Sequence, residues 1–506
     1  MLSRFIPILA EVDMRPIPAL GALRAAASFA LSAALLFSTG CGGGGGGGGS
    51  HHHGARGTSG GGAAPGAAVP PAHPLSAGVA TVDITPPVGV PLGGFGEGPR
   101  RLDFPDLDPF DWNTLFAESK GVRDPIYAKA LVLDDGEDRL AIVTLDLVGC
   151  GAQAVDKVFR HLRARGTGIP LENILVCASH THSGPGTLSP LHFWEIAAMD
   201  FYQPQIADEV VNGIARAILE AEAALEPARL GLGTDRLRGI TKNRRAGVSP
   251  VYTRDSIDDE LAVFRIDRTD GSPLATLYNF AIHGLVMWWD NMDYSADIMG
   301  DASRYIAAGG GGTALFVNGA EGDINPDVGH GDAACLAGGA VLGQAVLDLR
   351  ARIATDGDCD IRSVAETYDM GPPHFLLTPQ RLGTSLPAAL QAVFSFIGQG
   401  LMGAIPLGPD FMDHEYRYQA IRIRNAVIAS VPGEPIHELG LEIKKEGRNL
   451  GFDPVLVFGL ANGHGAYYTT EAEYWAGGYE ALATLFGPDT GKKVKNECVR
   501  MMGLVR

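Results

Sequence analysis

From Ala77 onward one pattern recurs: a short apolar run closed by a polar, glycine-containing loop. The runs are Leu140–Leu147, Asn173–Ala178, Leu274–Ile282, Thr313–Val317, Ala426–Ser430 and Pro454–Leu460. Segments of five to nine residues rich in Val, Ile, Leu and Phe predict buried strands. Helical periodicity lies between several of them, over Ala152–Arg165, Gln203–Leu225, Cys335–Ile353 and Glu471–Phe486. Strands alternating with helices predict an α/β fold, with mixed β-sheets flanked by helices. In such folds sites gather beyond the carboxyl ends of strands, so the residues after each run are the ones to inspect.

Charge removes some function classes. The 506 residues carry 40 Lys+Arg against 58 Asp+Glu, a net charge of −18. That balance excludes a nucleic-acid binder, which needs a basic face to neutralise phosphates. It also disfavours general attraction to anionic lipids. Met14–Cys41 has the features of an export signal: Arg15 and Arg24, an apolar run over Ala25–Phe37, and small residues before Cys41. Ser38-Thr39-Gly40-Cys41 resembles a bacterial lipobox, with Ser38 where Leu is usual. Residues 1–41 are therefore expected to be a signal peptide with a lipobox-like end. The product would be exported and membrane-associated through a lipidated Cys41, or otherwise secreted. Residues 42–76, rich in Gly, His and Pro, read as a flexible linker, and 77–506 as one catalytic domain. Of the remaining cysteines, Cys150 and Cys177 read as buried thiols, while Cys335 and Cys359 are candidates to pair.

The loops after the strands carry the chemistry. Ser179–Gly186 contains His180 and His182, which point the same way if the backbone is extended. His283 follows the Leu274–Ile282 run; Glu434 follows Pro432-Gly433. Each alone has an ordinary reading: a surface His pair, a core His, a carboxylate capping the helix predicted over Ile436–Lys444. Together they supply the His and carboxylate donors that catalytic zinc sites use, with no thiolate among them. Bound zinc lowers the pKa of its water to about 7 and polarises a carbonyl. No P-loop, GxSxG elbow or HExxH is present.

At this point the chain resembles the neutral (alkaline, non-lysosomal) ceramidases, zinc amidases that hydrolyse ceramide. The resemblance runs from Ala77 to Tyr479 in order. It is carried by Ala77–Pro87, Ser179–Gly186, Asn279–Gly284, Pro432-Gly433-Glu434 and Tyr467–Thr470 through Tyr479-Glu480. It implies zinc (Zn2+) held by His180, His283, Glu434 and Tyr467, with His182 contacting the scissile amide or relaying a proton. It also implies Arg244 and Tyr479 as substrate contacts. The implied activity is hydrolysis of an N-acyl bond in a sphingoid or related lipid. Other readings are a zinc hydrolase of the same superfamily acting on another amide or ester, or a non-catalytic lipid-binding lipoprotein.

Two departures from the family pattern stand out. Asn325, in Gly322–Asp327, takes the place of the family's proposed serine nucleophile, so its expected part is to orient. The chain also ends soon after Tyr479, so the family's C-terminal immunoglobulin-like domain is expected to be missing. Finally, Ser385–Gly408 carries no charge; its length would allow a membrane span, but Pro387, Pro406 and several Gly break it, and it is expected to pack as a core segment or as an apolar lid over an acyl chain.

Overall fold

The computed structural model describes residues 72–108, 110–377 and 403–506. The signal and linker readings for residues 1–71, and most of the uncharged 385–408 segment, lie outside the described residues. The folded part starts slightly earlier than expected. Leu75 is buried, and His73 N–H donates to Asp358 Oδ1 at 2.8 Å.

Two mixed sheets form the centre. The larger contains β1 (Ser76–Asp83), β2 (Tyr127–Asp134), β3 (Arg139–Leu145), β4 (Ile174–Ala178), β5 (Glu226–Arg236), β6 (Glu260–Arg268), β7 (Pro273–Phe280) and β8 (Thr313–Asn318), in the order β8-β7-β6-β5-β1-β2-β3-β4. Only the outermost pairs, β8/β7 and β3/β4, are parallel. The smaller sheet contains β9 (Ile361–Asp369), β10 (Glu415–Ile423), β11 (Ala426–Ser430) and β12 (Val455–Phe458) in that order, with β11/β12 parallel.

Alternation along the strands explains the layering. On β3, Ala141, Val143 and Leu145 face helices α1 (Ala152–Arg165) and α2 (Pro204–Ala223). Leu140 and Ile142 face the second sheet, packing with Ile421, Ile428, Leu456 and Phe458. The outer face of β7 and β8 packs on α3 (Asp297–Ala308) and α4 (Asp332–Arg352). The smaller sheet is covered by α5 (His437–Asn449) and by α8 (Thr490–Leu504). The result is helix, sheet, sheet, helix. Glycine allows one close approach: a Cβ at Gly78 would lie 2.1 Å from Ala221 O, so β1 and α2 meet backbone to backbone.

Several expectations change. The helix predicted over Glu471–Phe486 is two short ones, α6 (Glu471–Ala476) and α7 (Tyr479–Leu482), parted by Gly477 and Gly478 at φ 82° and 85°. Cys335 and Cys359 do not pair; both are buried free thiols, as are Cys150, Cys177 and Cys498. The strand ends that carry the candidate residues do not share one sheet. β4, β7 and β8 belong to the larger sheet, β11 and β12 to the smaller.

Candidate active site

Buried asparagines join those ends. Asn318, closing β8, donates from Nδ2 to Ser179 O at 2.9 Å and Ile282 O at 2.8 Å, and its carbonyl accepts from Gly459 N at 3.0 Å. Asn279 donates to Val317 O, Asn318 O and Val457 O at 3.0–3.2 Å. Asn462 exchanges two bonds with the Val176 backbone. The loops after β4, β7, β8 and β12 are thereby fixed to one another across the two sheets. Each unpaired strand-end peptide group finds a partner in a side-chain amide.

His180 and His182 converge, but not by the expected route. His180 has φ 68°, so the backbone turns there and is not extended. The rings meet with Nε2 to Nε2 at 3.2 Å. His180 Nδ1 lies 2.6 Å from Val148 O and His283 Nδ1 lies 2.8 Å from Glu321 O. Donation from Nδ1 to a carbonyl fixes the tautomer and leaves the Nε2 lone pair facing inward. Glu434 and Tyr467 are register partners in a short parallel bridge, Glu434–Pro435 with Tyr467–Tyr468. That places carboxylate and phenol side by side on one face. Glu434 is therefore a strand residue, and the N-cap of α5 is Ile436.

The groups meet at Glu434. Its Oε2 lies 3.2 Å from His180 Nε2 and 3.4 Å from His283 Nε2, and Tyr467 OH is 3.4 Å from His283 Nε2. His464, which sequence reasoning did not select, sits with Nε2 3.2 Å from Glu434 Oε1 and its ring stacked on Trp194 at 3.8 Å. Its position six residues after β12, in Ala461–His464, was the available signal. Two trios of donor atoms lie mutually within 4.8 Å: His180, His182, His283 and His180, Glu434, His464. His180 belongs to both.

Electrostatics follow from burial. His182 is driven well below its ordinary pKa by burial and by His180 and His283. Burial, Arg244 and His180 bring His283 down to about 3. Burial alone would raise Glu434, yet the neighbouring His180, His283 and His464 rings hold it well below the usual carboxylate range. Burial and the Glu434 charge push Tyr467 well above the usual phenol range. Glu321, also unselected from sequence, is raised by burial and by Glu434, and both its carboxylate oxygens lack a hydrogen-bond partner.

Arg244 stands at the second flank. Its Nε donates to Glu480 Oε1 at 2.6 Å, its Nη1 to His283 Nε2 and Asn325 Oδ1 at 3.2 Å each, and its Nη2 to Gly322 O at 2.7 Å and Tyr467 OH at 3.0 Å. Five donors thus have five protein partners. Asn325 meets the site through this guanidinium, on a short strand paired with Thr241–Asn243. Tyr479 lies 5.2 Å from the Tyr467 ring and is 45% exposed, so it stands at the opening. On the other side Gly94 covers His182: at φ 113°, a Cβ there would lie 2.5 Å from the imidazole.

The donor set fits a divalent cation. Buried imidazoles present Nε2 atoms to one carboxylate whose Oε2 lacks a hydrogen bond, and among the described residues no cysteine joins either trio. Apolar walls also approach: Trp194, Met199, Val211 and Ile214 line a pocket that ends on His464.

Comparison with known proteins bears on the family and the fold. The family described as neutral/alkaline non-lysosomal ceramidase, N-terminal, matches residues 112–338, which contain His180, His182, Arg244, His283 and Asn325. The neutral ceramidase of Pseudomonas aeruginosa is 27% identical over 472 residues, covering 78% of this chain and 69% of the relative. Neutral ceramidase B of Dictyostelium discoideum is 25% identical, covering 63% of this chain and 58% of the relative. A solved ceramidase complexed with C2 superposes with TM-score 0.72 at 21% identity, covering 86% of this chain and 75% of that one, which establishes the shared fold. The family model, the curated relatives and the solved ceramidase structures all support the neutral/alkaline non-lysosomal ceramidase family for this chain.

Proposed function

We propose that this protein is a zinc-dependent hydrolase of N-acyl bonds, acting on ceramide or a related N-acyl lipid. The observation that carries the reading is the convergence of His180, His283, Glu434 and Tyr467 from four strand ends, with inward Nε2 atoms and a buried Glu434 oxygen lacking a hydrogen bond. Those four residues would hold the ion. When bound, it would polarise the substrate carbonyl and acidify a water. His182, neutral at pH 7 and 3.2 Å from His180, is placed to accept a proton and pass it to the leaving amine. Arg244 fixes the Tyr467 hydroxyl and the Asn325 amide. To touch substrate it must exchange one of its five bonds, and Tyr479, 45% exposed at the opening, is placed to meet the head group first. Asn325 orients through Arg244 and supplies no nucleophile, because a carboxamide nitrogen is not basic.

Metal analysis of the purified protein, with turnover of a ceramide panel before and after chelation, tests this directly. One metal per chain, with activity lost on chelation and restored by zinc, is expected. Active metal-free protein would refute it. The second reading, a different amide or ester substrate, is favoured by Asn325. It predicts turnover of non-sphingoid N-acyl compounds with ceramide untouched.

We also infer that the protein is exported and lipid-anchored at Cys41, from Ser38–Cys41. Metabolic labelling with a fatty acid that C41S abolishes would support this. Label retained in C41S would oppose it.

A further inference from the structure

One loop departs from the burial pattern of the whole chain. Phe104, Leu107 and Phe110 are 84%, 83% and 91% exposed, the highest values among large apolar side chains of the described residues. They recur every third residue within one loop, so this is a cluster and not scattered exposure.

The loop is held in shape. At its root Leu102 N donates to Leu115 O at 3.0 Å and Asp106 N to Thr114 O at 2.8 Å. The buried Asp200 carboxylate accepts from the backbone of Thr114, Leu115 and Phe116 at 2.9–3.1 Å. At the tip, Asp106 Oδ1 accepts from Asp108 N and Asp108 Oδ1 from Phe110 N, both at 2.9 Å. Exposed apolar groups on a floppy loop could fold back. These are held outward by bonds that use the aspartates.

The loop also grows out of the cover of the candidate site. Arg100, two residues before its root, is 1% exposed and donates to His182 O, and to Trp288 O at 3.2 Å. Trp288 packs on Phe95, and Phe95 on His182. Trp288 and Trp289 are half-buried beside this cover, where a Cβ on Gly98 would meet the Trp289 ring at 3.2 Å. Half-buried tryptophans behind exposed Phe and Leu form the profile of a side-chain set that enters a lipid interface, with indoles at head-group depth.

We propose that this loop inserts Phe104, Leu107 and Phe110 into the surface of a zwitterionic lipid bilayer and so sets the His182 side of the site against the membrane. Charge selects that occupant. Asp103, Asp106, Asp108 and Asp111 alternate with the apolar residues, and the chain carries −18 overall. An anionic bilayer attracts basic segments and repels this one. Burying two or three apolar side chains gives reversible attachment of the kind an enzyme working from one lipid to the next needs. The role assigned to the membrane rests on the N-acyl-lipid reading, whereas the docking itself does not.

The test reads position and needs no catalysis. In the full chain carrying C41S, a polarity-sensitive dye is attached at F110C. The other described cysteines are buried, so labelling is confined to that site. A second protein carries the dye at D270C, on the exposed turn before β7. That turn lies at the opposite end from His283, about 26 Å along an eight-residue strand. Phosphatidylcholine vesicles are expected to shift the F110C dye to the blue with at least a twofold gain in intensity, and to leave D270C unchanged. Vesicles one-third phosphatidylserine should give less than half that response. No shift at F110C, equal shifts at both positions, or a stronger response to phosphatidylserine would each overturn the proposal. The triple variant F104S/L107S/F110S adds a functional arm. Hydrolysis of a vesicle-borne N-acyl lipid should fall at least tenfold, and that of a soluble short-chain analogue should stay within twofold. Parallel loss of both would refute the docking role. A parent inactive on both substrates would count against the hydrolase reading alone, because the dye response stands apart from turnover.

Discussion

On the Arg244 side of the site every charged atom has a partner, and on the Glu434 side several do not. Arg245 is 1% exposed and is bound by both Glu473 and Glu480; Glu480 also takes Arg244, and Ser249 takes the remaining Glu473 oxygen. Asp323 accepts from Asn243 and from the backbone and ring of His437. Across the cleft, Glu434 Oε2, both Glu321 oxygens, His182 Nδ1 and His464 Nδ1 are buried without hydrogen bonds. Buried polar atoms without partners are costly and rare, so a group of them in one place marks where a ligand belongs. A closed network marks a scaffold. The two flanks therefore differ in what substitution should remove: chemistry on one, stability on the other.

The largest effect expected is at Glu434. E434A removes the centre that His180, His283 and His464 all face, so metal content and turnover should both fall to background while the denaturation midpoint moves little. Metal analysis and a hydrolysis assay on the same preparation check this. A metal-loaded, active E434A would erase the contrast between the flanks. R245A attacks the other flank. Removing one member of a buried ion pair strands the carboxylates Glu473 and Glu480 and should cost about 3–5 kcal/mol by denaturant unfolding. The protein that remains folded should still bind its metal. Loss of metal without loss of stability would invert the assignment.

Acid should separate the flanks without mutation. His283 is held to about 3, against an ordinary 6.5, chiefly by burial. The unfolded chain thus binds a proton there that the folded one refuses. Stability contributed by the neutral ring is complete above about pH 6.5 and lost as pH falls toward 3, at about 1.4 kcal/mol per pH unit for one such group. His182 and His464 shift in the same direction. Chelated protein should therefore lose unfolding free energy with a slope above that of one proton between pH 6 and 4. A flat profile would mean these rings are not buried neutral.

How much of this was legible in sequence depends on what each residue's role required. Continuous apolar runs announced β3, β4, β7, β8, β11 and β12, because strands covered on both faces need no alternation. β1, β2, β5, β6, β9 and β10 went unread: their mixed polar and apolar residues carry no apolar run of five or more. His180, His283, Glu434 and Tyr467 were reachable because each follows a strand in a motif of the family, and the structure brings all four together. His464 and Glu321 were not, since a single His or Glu in a glycine-rich loop has no spacing to betray it. Asn318 and Asn279 were invisible for a different reason: their work is to satisfy backbone groups from another sheet, and that pairing exists only after folding. The turn at His180 shows the same limit, because HxH spacing suggests an extended strand while the rings meet through a left-handed residue.

His464 sharpens the comparison further, since it touches Glu434 without belonging to the four family positions. Its Nε2 holds Oε1 at 3.2 Å and its ring is fixed by Trp194 on one side and by Gly149 on the other, where a Cβ would lie 2.1 Å from Nδ1. A residue that orients a ligand and does not itself bind substrate should lower metal affinity by about 10–100-fold when removed. H464A is expected to show that loss in a zinc titration, with turnover restored at saturating zinc. Turnover still absent at full occupancy would make His464 a participant in the reaction.

The smallest effect should come from Asn325, the position where the chain departs most visibly from its family. Its Oδ1 accepts one of five Arg244 bonds. N325A removes that acceptor and leaves Glu480, Gly322, Tyr467 and His283 to hold the guanidinium. Loss of one such bond is worth about 0.5–1.5 kcal/mol, so turnover should drop by about two- to tenfold with metal content unchanged. N325S keeps an acceptor oxygen and should lie nearer the parent. A rise in ceramide turnover in N325S of tenfold or more would mean a hydroxyl at this position attacks the carbonyl. The satisfied flank would then hold chemistry as well as scaffold.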